Sequence, residues 1–474
     1  MMRVPTKQRR SAGGFTMVEL LIAMVAGLVV VLSAVALGRD ATTNFHQEMR
    51  IAGTQMTQRL SAQRLRSDIE RTGFMSTGNM LQDPRIAHCL HGSSGVCTGP
   101  DTIGTAPTYI DTTTETGLAT LMSVRLKIAG SMAGNVATYS TLNGLTPDAI
   151  ELSGNFTTAD EFTASIDQPG SACAGGARIY LEPKDPAVIR LLYPRSGVYD
   201  AVAAQAALIA AFAPVYDAAN FKAPAFGIRV SDSSGTHYQF ATICGAANAI
   251  GITTMPVPGG GTLPRPYIDT SHALMTQDLG IGGITPGQGA GSNVVVNPVQ
   301  VVRWEITQRS QFGDATTSNR GKLLDTPNIE ALRTARFELI RTWVPFDTAP
   351  FANVATKCPD CLELVSEFPI DLKFGFSTLT PAGVLTSYNL TDGSSPKTPN
   401  TIAPDTGTAT PQQIRSITFR LGTRAAMSDR AVTIPAVNPH FLFRYQISTT
   451  TNEVARARET MEEVFLPNQA SMNY

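Results

Sequence analysis

The chain has 474 residues, 43% of them hydrophobic and 16% charged, and its 37 Lys and Arg balance 38 Asp and Glu to a formal net charge of −1. That balance argues against a protein that binds nucleic acid through bulk electrostatics, so no nucleic-acid partner is expected. About 400 residues lie beyond the first apolar segments, more than one core usually serves, which allows one elaborated domain or two subdomains.

The first ten residues carry Arg3, Lys7, Arg9 and Arg10 and no acid, a segment the positive-inside rule holds in the cytoplasm. Phe15 to Gly38 is a nearly continuous apolar run, about the 20 residues a helix needs to cross a bilayer. Glu19 interrupts it. A carboxylate at that depth costs about 2.5–3.5 kcal/mol on insertion scales and marks a functional residue that needs a partner. A secretory signal places its small-residue cleavage site after the apolar region, whereas Gly13-Gly14 comes before it.

Together these residues resemble the prepilin signal of type IV pilins and type II secretion pseudopilins. The resemblance implies that prepilin peptidase cuts between Gly14 and Phe15. Phe15 then becomes the N-methylated terminus, and Glu19 pairs with the N-terminal amine of a neighbouring subunit during assembly. Two opposite charges desolvated in lipid gain far more from meeting than a pair on a wet surface does. No proline interrupts the apolar helix, and only Gly27 and Gly38 loosen it.

Past Gly38 the helical pattern continues with a changed face. Phe45, Met49, Ala52, Met56 and Leu60 recur at spacings of three and four, with Arg50, Gln55, Arg59, Gln63 and Arg64 between them. Gly73 is a natural stop, so a single helix from Phe15 to Arg71 would run roughly 85 Å, half in lipid or a filament core and half supporting a soluble head.

Beyond Gly73 the composition turns to Thr, Ser, Gly, Ala and Pro with short alternating runs, which reads as β structure. Strands are expected around Leu121–Ile128, Arg178–Leu181, Gly227–Val230, Val301–Ile306, Phe337–Trp343 and Ile414–Leu421. Arg415, Arg420 and Arg424 suit the outer face of the last. The Ala-rich stretch Val198–Phe212, closed by Pro214, predicts a short helix. The segments 256–298 and 377–411 read as loops or insertions. The expected class is α+β: a long N-terminal transmembrane and amphipathic helix followed by a large β-rich, pilin-like head. Its parts are a leader at 1–14, a membrane segment at 15–38, a helix continuation at 39–72, a first β-rich part at 73–255, a Pro/Gly-rich loop or linker at 256–298, and a second β-rich part at 299–474.

Within that second part, Cys361–Phe376 resembles the strand-turn-strand segment of PilW-type minor pilins. Ile414–Leu421 is similar to their following strand, and Phe441–Tyr445 through Val464–Asn468 to their closing segment. The resemblance implies a minor pilin in the tip or priming complex of a type IV pilus, supporting pilus assembly, adhesion and twitching motility. Implied partners are other minor pilins, the major pilin and a PilY-type tip adhesin. The subunit would sit in the inner membrane as a single-pass protein before joining a cell-surface pilus, its head periplasmic or extracellular.

Six cysteines lie on the exported side: Cys89, Cys97, Cys173, Cys244, Cys358 and Cys361. An even count in an oxidising compartment suggests disulfides, and local pairing would join Cys89 to Cys97 and Cys358 to Cys361, leaving Cys173 for Cys244. His88, Cys89, His91 and Cys97 have the residue types of a zinc site but the spacing of no common finger. Cys358-Pro-Asp-Cys361 has dithiol-oxidoreductase spacing, yet no βαβ pattern surrounds it, which favours a loop clip. His46, His237, His272 and His440 are scattered, and no nucleophile elbow or zinc-protease motif occurs. Neither a cofactor nor an enzyme activity is expected. The two rival readings are a J-type minor pseudopilin of a type II secretion system and a membrane-anchored periplasmic redox or other enzyme.

Overall fold

The computed structural model describes residues 16–86, 106–107, 109–128, 145–167, 171–173, 175–193, 197–215, 225–232, 235, 238–257, 260–274, 291–308, 337–354, 358–388, 390, 410–426, 444–446 and 454–469. The chain divides into two compact units, Met1–Gln55 and Met56–Tyr474.

In the first unit the apolar run forms the start of helix α1 (Met17–Arg71), and Met17–Thr42 is long and apolar enough to cross a membrane. The hydroxyls inside it are satisfied locally. Ser33 Oγ donates to the Val29 carbonyl and Thr42 Oγ1 to the Gly38 carbonyl, each at 2.8 Å, so neither needs water.

The second unit begins with the last turns of α1, which end where the sequence expects: Gly73 adopts φ +77°, a left-handed conformation that glycine takes without a Cβ penalty. The face that α1 buries differs from the apolar stripe read in the sequence. Met56 and Leu60 are 66% and 57% exposed, while Ala62, Leu65 and Ile69 are buried together with Gln58, Ser61 and Asp68. Periodicity shows that a stripe exists without showing what covers it.

Among the described residues of this unit the strands form two antiparallel sheets, in the α+β arrangement expected. The first joins β1 (Val124–Lys127), β2 (Ala149–Gly154), β3 (Phe162–Asp167), β4 (Arg178–Leu181), β5 (Gly227–Asp232), β6 (Tyr238–Thr242), β7 (Ile250–Pro256), β8 (Thr262–Asp269), β9 (Gly291–Gln308), β10 (Phe337–Val344) and β11 (Leu362–Glu367). The second has the order β13-β12-β14-β16-β15, from β12 (Pro369–Leu379), β13 (Leu385–Tyr388), β14 (Ile414–Arg424), β15 (Arg444–Gln446) and β16 (Val454–Phe465). The helix Ala201–Phe212 forms as expected, its start capped by the Asp200 carboxylate, which accepts from the Val202 and Ala203 N–H groups.

β9 is the spine of the first sheet. Its first half pairs with β3 and β5, its second half with β2 and β10. Pro298 falls between the β3 register, which ends at Val296, and the β2 register, which starts at Gln300, so a residue without an N–H donor sits where that edge carries no ladder. The stretch 256–298, expected as a loop, therefore holds β8 and the start of β9. The reason is tertiary. Val294, Val296 and Ile268 are fully buried, and neighbouring strands supply what the Pro and Gly content takes away. One hydrophobic core runs from Ala62 on α1 to Leu466 after β16, taking in residues before and after that stretch.

Charges are buried along β1, β2 and β9. Arg303 donates to Glu151 at 3.0 Å, with Arg125 at 3.7 Å from Glu151 and Glu305 at 3.7 Å from Arg303. Burial pushes the Glu305 carboxyl above its ordinary value against the pull of Arg303. Arg424, expected on an outer face, is 2% exposed and lies 4.7 Å over the Phe368 ring and 5.7 Å from that of Tyr445. A small second core of Ile370, Tyr445, Ala455 and Ala457 accounts for that burial by covering the strand face.

Gly227 packs closely against a neighbouring ring. A methyl group there would overlap the ring of Phe346, itself 1% exposed. Gly227→Ala is expected to lower stability by about 1–3 kcal/mol, read as a lower urea midpoint; an unchanged midpoint would show that the ring has room to move.

Candidate assembly site

The start of α1 is built by Thr16 and Glu19. The Thr16 backbone N–H and its Oγ1 both donate to Glu19 Oε2 at 3.0 Å, and the Glu19 N–H donates back to Thr16 Oγ1 at 3.3 Å. This is a capping box, in which the first-turn side chain and the cap residue satisfy each other's orphan donors. The Thr-x-x-Glu spacing was present in the sequence, though only Glu19 stands out there as an assembly residue. Both bonds fall on Oε2, and among the described residues none reaches Oε1. The carboxylate is thus held at the helix start with one oxygen available to a cation. Gly14 and Phe15 lie outside the described residues.

Large apolar side chains occupy the faces of the helix from that carboxylate onward. From Met17 to Leu37 they are 55–86% exposed, and Phe45 and Met49 continue the series at 59% and 58%. An exposed apolar surface of this length marks contact with lipid or with other chains.

Within the second unit, the last turns of α1 are fixed to the strands through Asp68. The Asp68 carboxylate accepts from Arg341 Nε at 2.6 Å, Arg341 Nη2 at 3.3 Å and Trp304 Nε1 at 2.9 Å. Arg341 and Trp304 sit opposite each other in the β10–β9 register. Gln58 Nε2 donates to the Leu421 carbonyl at 3.1 Å, Arg64 meets Glu363 at 3.2 Å, and Asn468 Nδ2 donates to the Glu70 carbonyl at 3.0 Å. Asp68 is inconspicuous in the sequence because its partners are 236 and 273 positions away.

Two disulfides are present among the described residues, Cys173–Cys244 and Cys358–Cys361, with Cα–Cα distances of 6.0 and 5.3 Å. The first spans 71 positions and ties the approach to β4 to the end of β6. The second closes a 3₁₀ turn, Pro359–Cys361, and the chain then enters β11 rather than the helix that usually stabilises a reactive thiolate. Cys89 and Cys97, with the zinc reading of His88 and His91, lie outside the described residues. So do His237 and His440. His46 is on α1, and His272 contacts Glu115 and the Tyr109 ring within the β-rich unit.

Among known proteins, the family model described as the prokaryotic N-terminal methylation motif matches residues 9–35. No curated protein and no solved structure matches the chain. The motif covers Arg9 and Arg10 of the basic segment, the Gly14-Phe15 junction, Glu19 and most of the apolar run. It supports a type IV pilin-like or pseudopilin-like protein whose signal implies processing by prepilin peptidase, membrane anchoring through the apolar helix and assembly with other pilins.

Proposed function

We propose that this chain is a minor pilin of the PilW type, cleaved after Gly14, N-methylated at Phe15 and assembled into a type IV pilus. The observation that carries the reading is the methylation motif continued by an uncovered apolar helix, with Glu19 held at its start. The large β-rich unit favours the tip or priming complex, because a repeating shaft leaves little room for a mass of this size. Its partners there are other minor pilins, the major pilin and a PilY-type adhesin, and its outputs are filament initiation, adhesion and twitching motility. Before assembly it is a single-pass inner-membrane protein with its β-rich unit on the periplasmic side. The work of the chain is binding rather than catalysis. Cys358 and Cys361 are bonded to each other and 5% and 0% exposed, which favours a loop clip over a redox centre.

The test is intact-mass and N-terminal peptide analysis of the protein from membranes and from sheared filaments. A chain starting at methylated Phe15, present in filaments and absent in Gly14→Val, is the expected result. A chain still beginning at its first methionines would make the helix a plain anchor. Loss of secretion without loss of pili on deletion would reassign the subunit to a type II secretion system.

A further inference from the structure

Beside the turn that follows α1 lies a cavity of about 300 Å³, bounded by Met75, Arg85, Arg229, Tyr238 and Asn468. Arg229, on β5, has not found a conventional partner there. Its Nε is buried and donates to nothing, and Nη1 reaches only the Met75 Sδ at 3.4 Å, a weak acceptor. The guanidinium carbon lies 4.1 Å over the Tyr238 ring. A guanidinium has five N–H donors, and burying it without an oxygen acceptor costs free energy that most proteins avoid. Burial accordingly draws this group below its ordinary value.

The nearby carboxylates do not resolve this. Asp83 and Glu161 act on Arg229 through space only. Asp83 is committed elsewhere, accepting from Thr77 Oγ1 at 2.9 Å, from the Arg85 N–H at 3.0 Å and from the Tyr238 hydroxyl. Other polar groups of the wall are engaged too, Ser76 with Ser153 at 2.8 Å and Asn468 with the Glu70 carbonyl at 3.0 Å.

We propose that this cavity is a carboxylate-binding site, in which two ligand oxygens take the free donors of Arg229 and Arg85 adds positive charge to the same wall. A planar guanidinium fork matches a carboxylate in geometry, and the charge-assisted bonds are about twice as strong as neutral ones. The volume lies at the lower limit for ligand pockets, which suits a small acid or one acidic side chain and excludes a nucleotide. The carboxylate comes either from a free small acid or from a neighbouring subunit, and the ligand chemistry is the same.

The test is a thermal melt of the full-length chain in detergent micelles, titrated with sodium acetate against sodium chloride at matched ionic strength. About 20 mM acetate is expected to raise the midpoint of the β-rich unit by about 2 °C or more over chloride. Arg229→Met, which keeps the volume and removes the charge, is expected to abolish that difference. Arg85→Gln leaves β5 unaltered and is expected to raise the acetate concentration required by about tenfold. Absence of an acetate-specific rise in the parent chain, or an equal rise in Arg229→Met, overturns the proposal. Should Arg229→Met not fold, an unchanged acetate response in Arg85→Gln overturns it instead. Phenylglyoxal labelling of Arg229 separates the two sources, and this arm rests on the filament reading above. In micelles acetate slows the labelling in either case. In sheared filaments, protection without acetate identifies a neighbouring subunit's carboxylate, and protection only with acetate identifies a free acid.

Discussion

Asp68→Ala is expected to destabilise the β-rich unit by about 3–5 kcal/mol, because it removes one partner of a buried ion pair and leaves the other charge in place. Asp68, Arg341 and Trp304 are 5%, 1% and 0% exposed, so water cannot replace the lost carboxylate. Arg341 keeps a contact with Glu363 at 3.4 Å and its stacking on Trp343 at 3.9 Å, but Trp304 Nε1 loses the acceptor it has. Asp68→Asn retains an acceptor for the indole and is expected to cost less. The double change Asp68→Leu with Arg341→Met is expected to cost less than Asp68→Ala alone, since no charge is stranded. Urea unfolding followed by tryptophan fluorescence suits the measurement, because the chain's two tryptophans, Trp304 and Trp343, both lie at this pair. A loss below about 1 kcal/mol for Asp68→Ala would mean that the pair contributes no more than an exposed salt bridge.

What the sequence discloses about this molecule follows the range of each signal. The apolar run, the stop at Gly73, the Ala-rich run closed by Pro214 and strands such as β4, β10 and β14 are local patterns, and each can be read from a window of a few residues. The strands inside 256–298 are not local in that sense. β8 carries Pro264 and Pro266, yet Ile268 is fully buried and the strand pairs with both β4 and β7. The stripe Phe45, Met49, Met56 and Leu60 illustrates the opposite failure, a clear pattern that the described residues of the chain leave exposed. At the candidate site, Glu19 was conspicuous as a lone acid among apolar residues. Asp68 was hidden among ordinary helix charges, and Arg229 looked like any polar position on a strand. A buried charge becomes legible only when the strands that enclose it are assembled.

Glu19→Ala is expected to leave cleavage at Gly14 intact and to reduce incorporation into filaments by tenfold or more. The reasoning separates two jobs of one carboxylate. Within the chain it closes the capping box with Thr16, worth about 1 kcal/mol to the helix start. Between chains, on the proposed assembly reading, it meets the N-terminal amine of Phe15 from a neighbour in a medium of low dielectric, where the attraction far exceeds that of a surface pair. A tenfold loss corresponds to only about 1.4 kcal/mol, so even a partial contribution from that pair is visible. Thr16→Val is the control that divides the two effects: it removes the hydroxyl bonds to Glu19 and keeps the charge. Incorporation close to the parent level in Thr16→Val, with tenfold loss in Glu19→Ala, assigns the work to the intermolecular pair. Equal losses in both would assign it to the helix cap, and normal incorporation of Glu19→Ala would remove Glu19 from assembly altogether. Quantitative immunoblotting of sheared filaments against the membrane pool gives the ratio, and the mass of the mature terminus confirms that processing was unaffected in each variant.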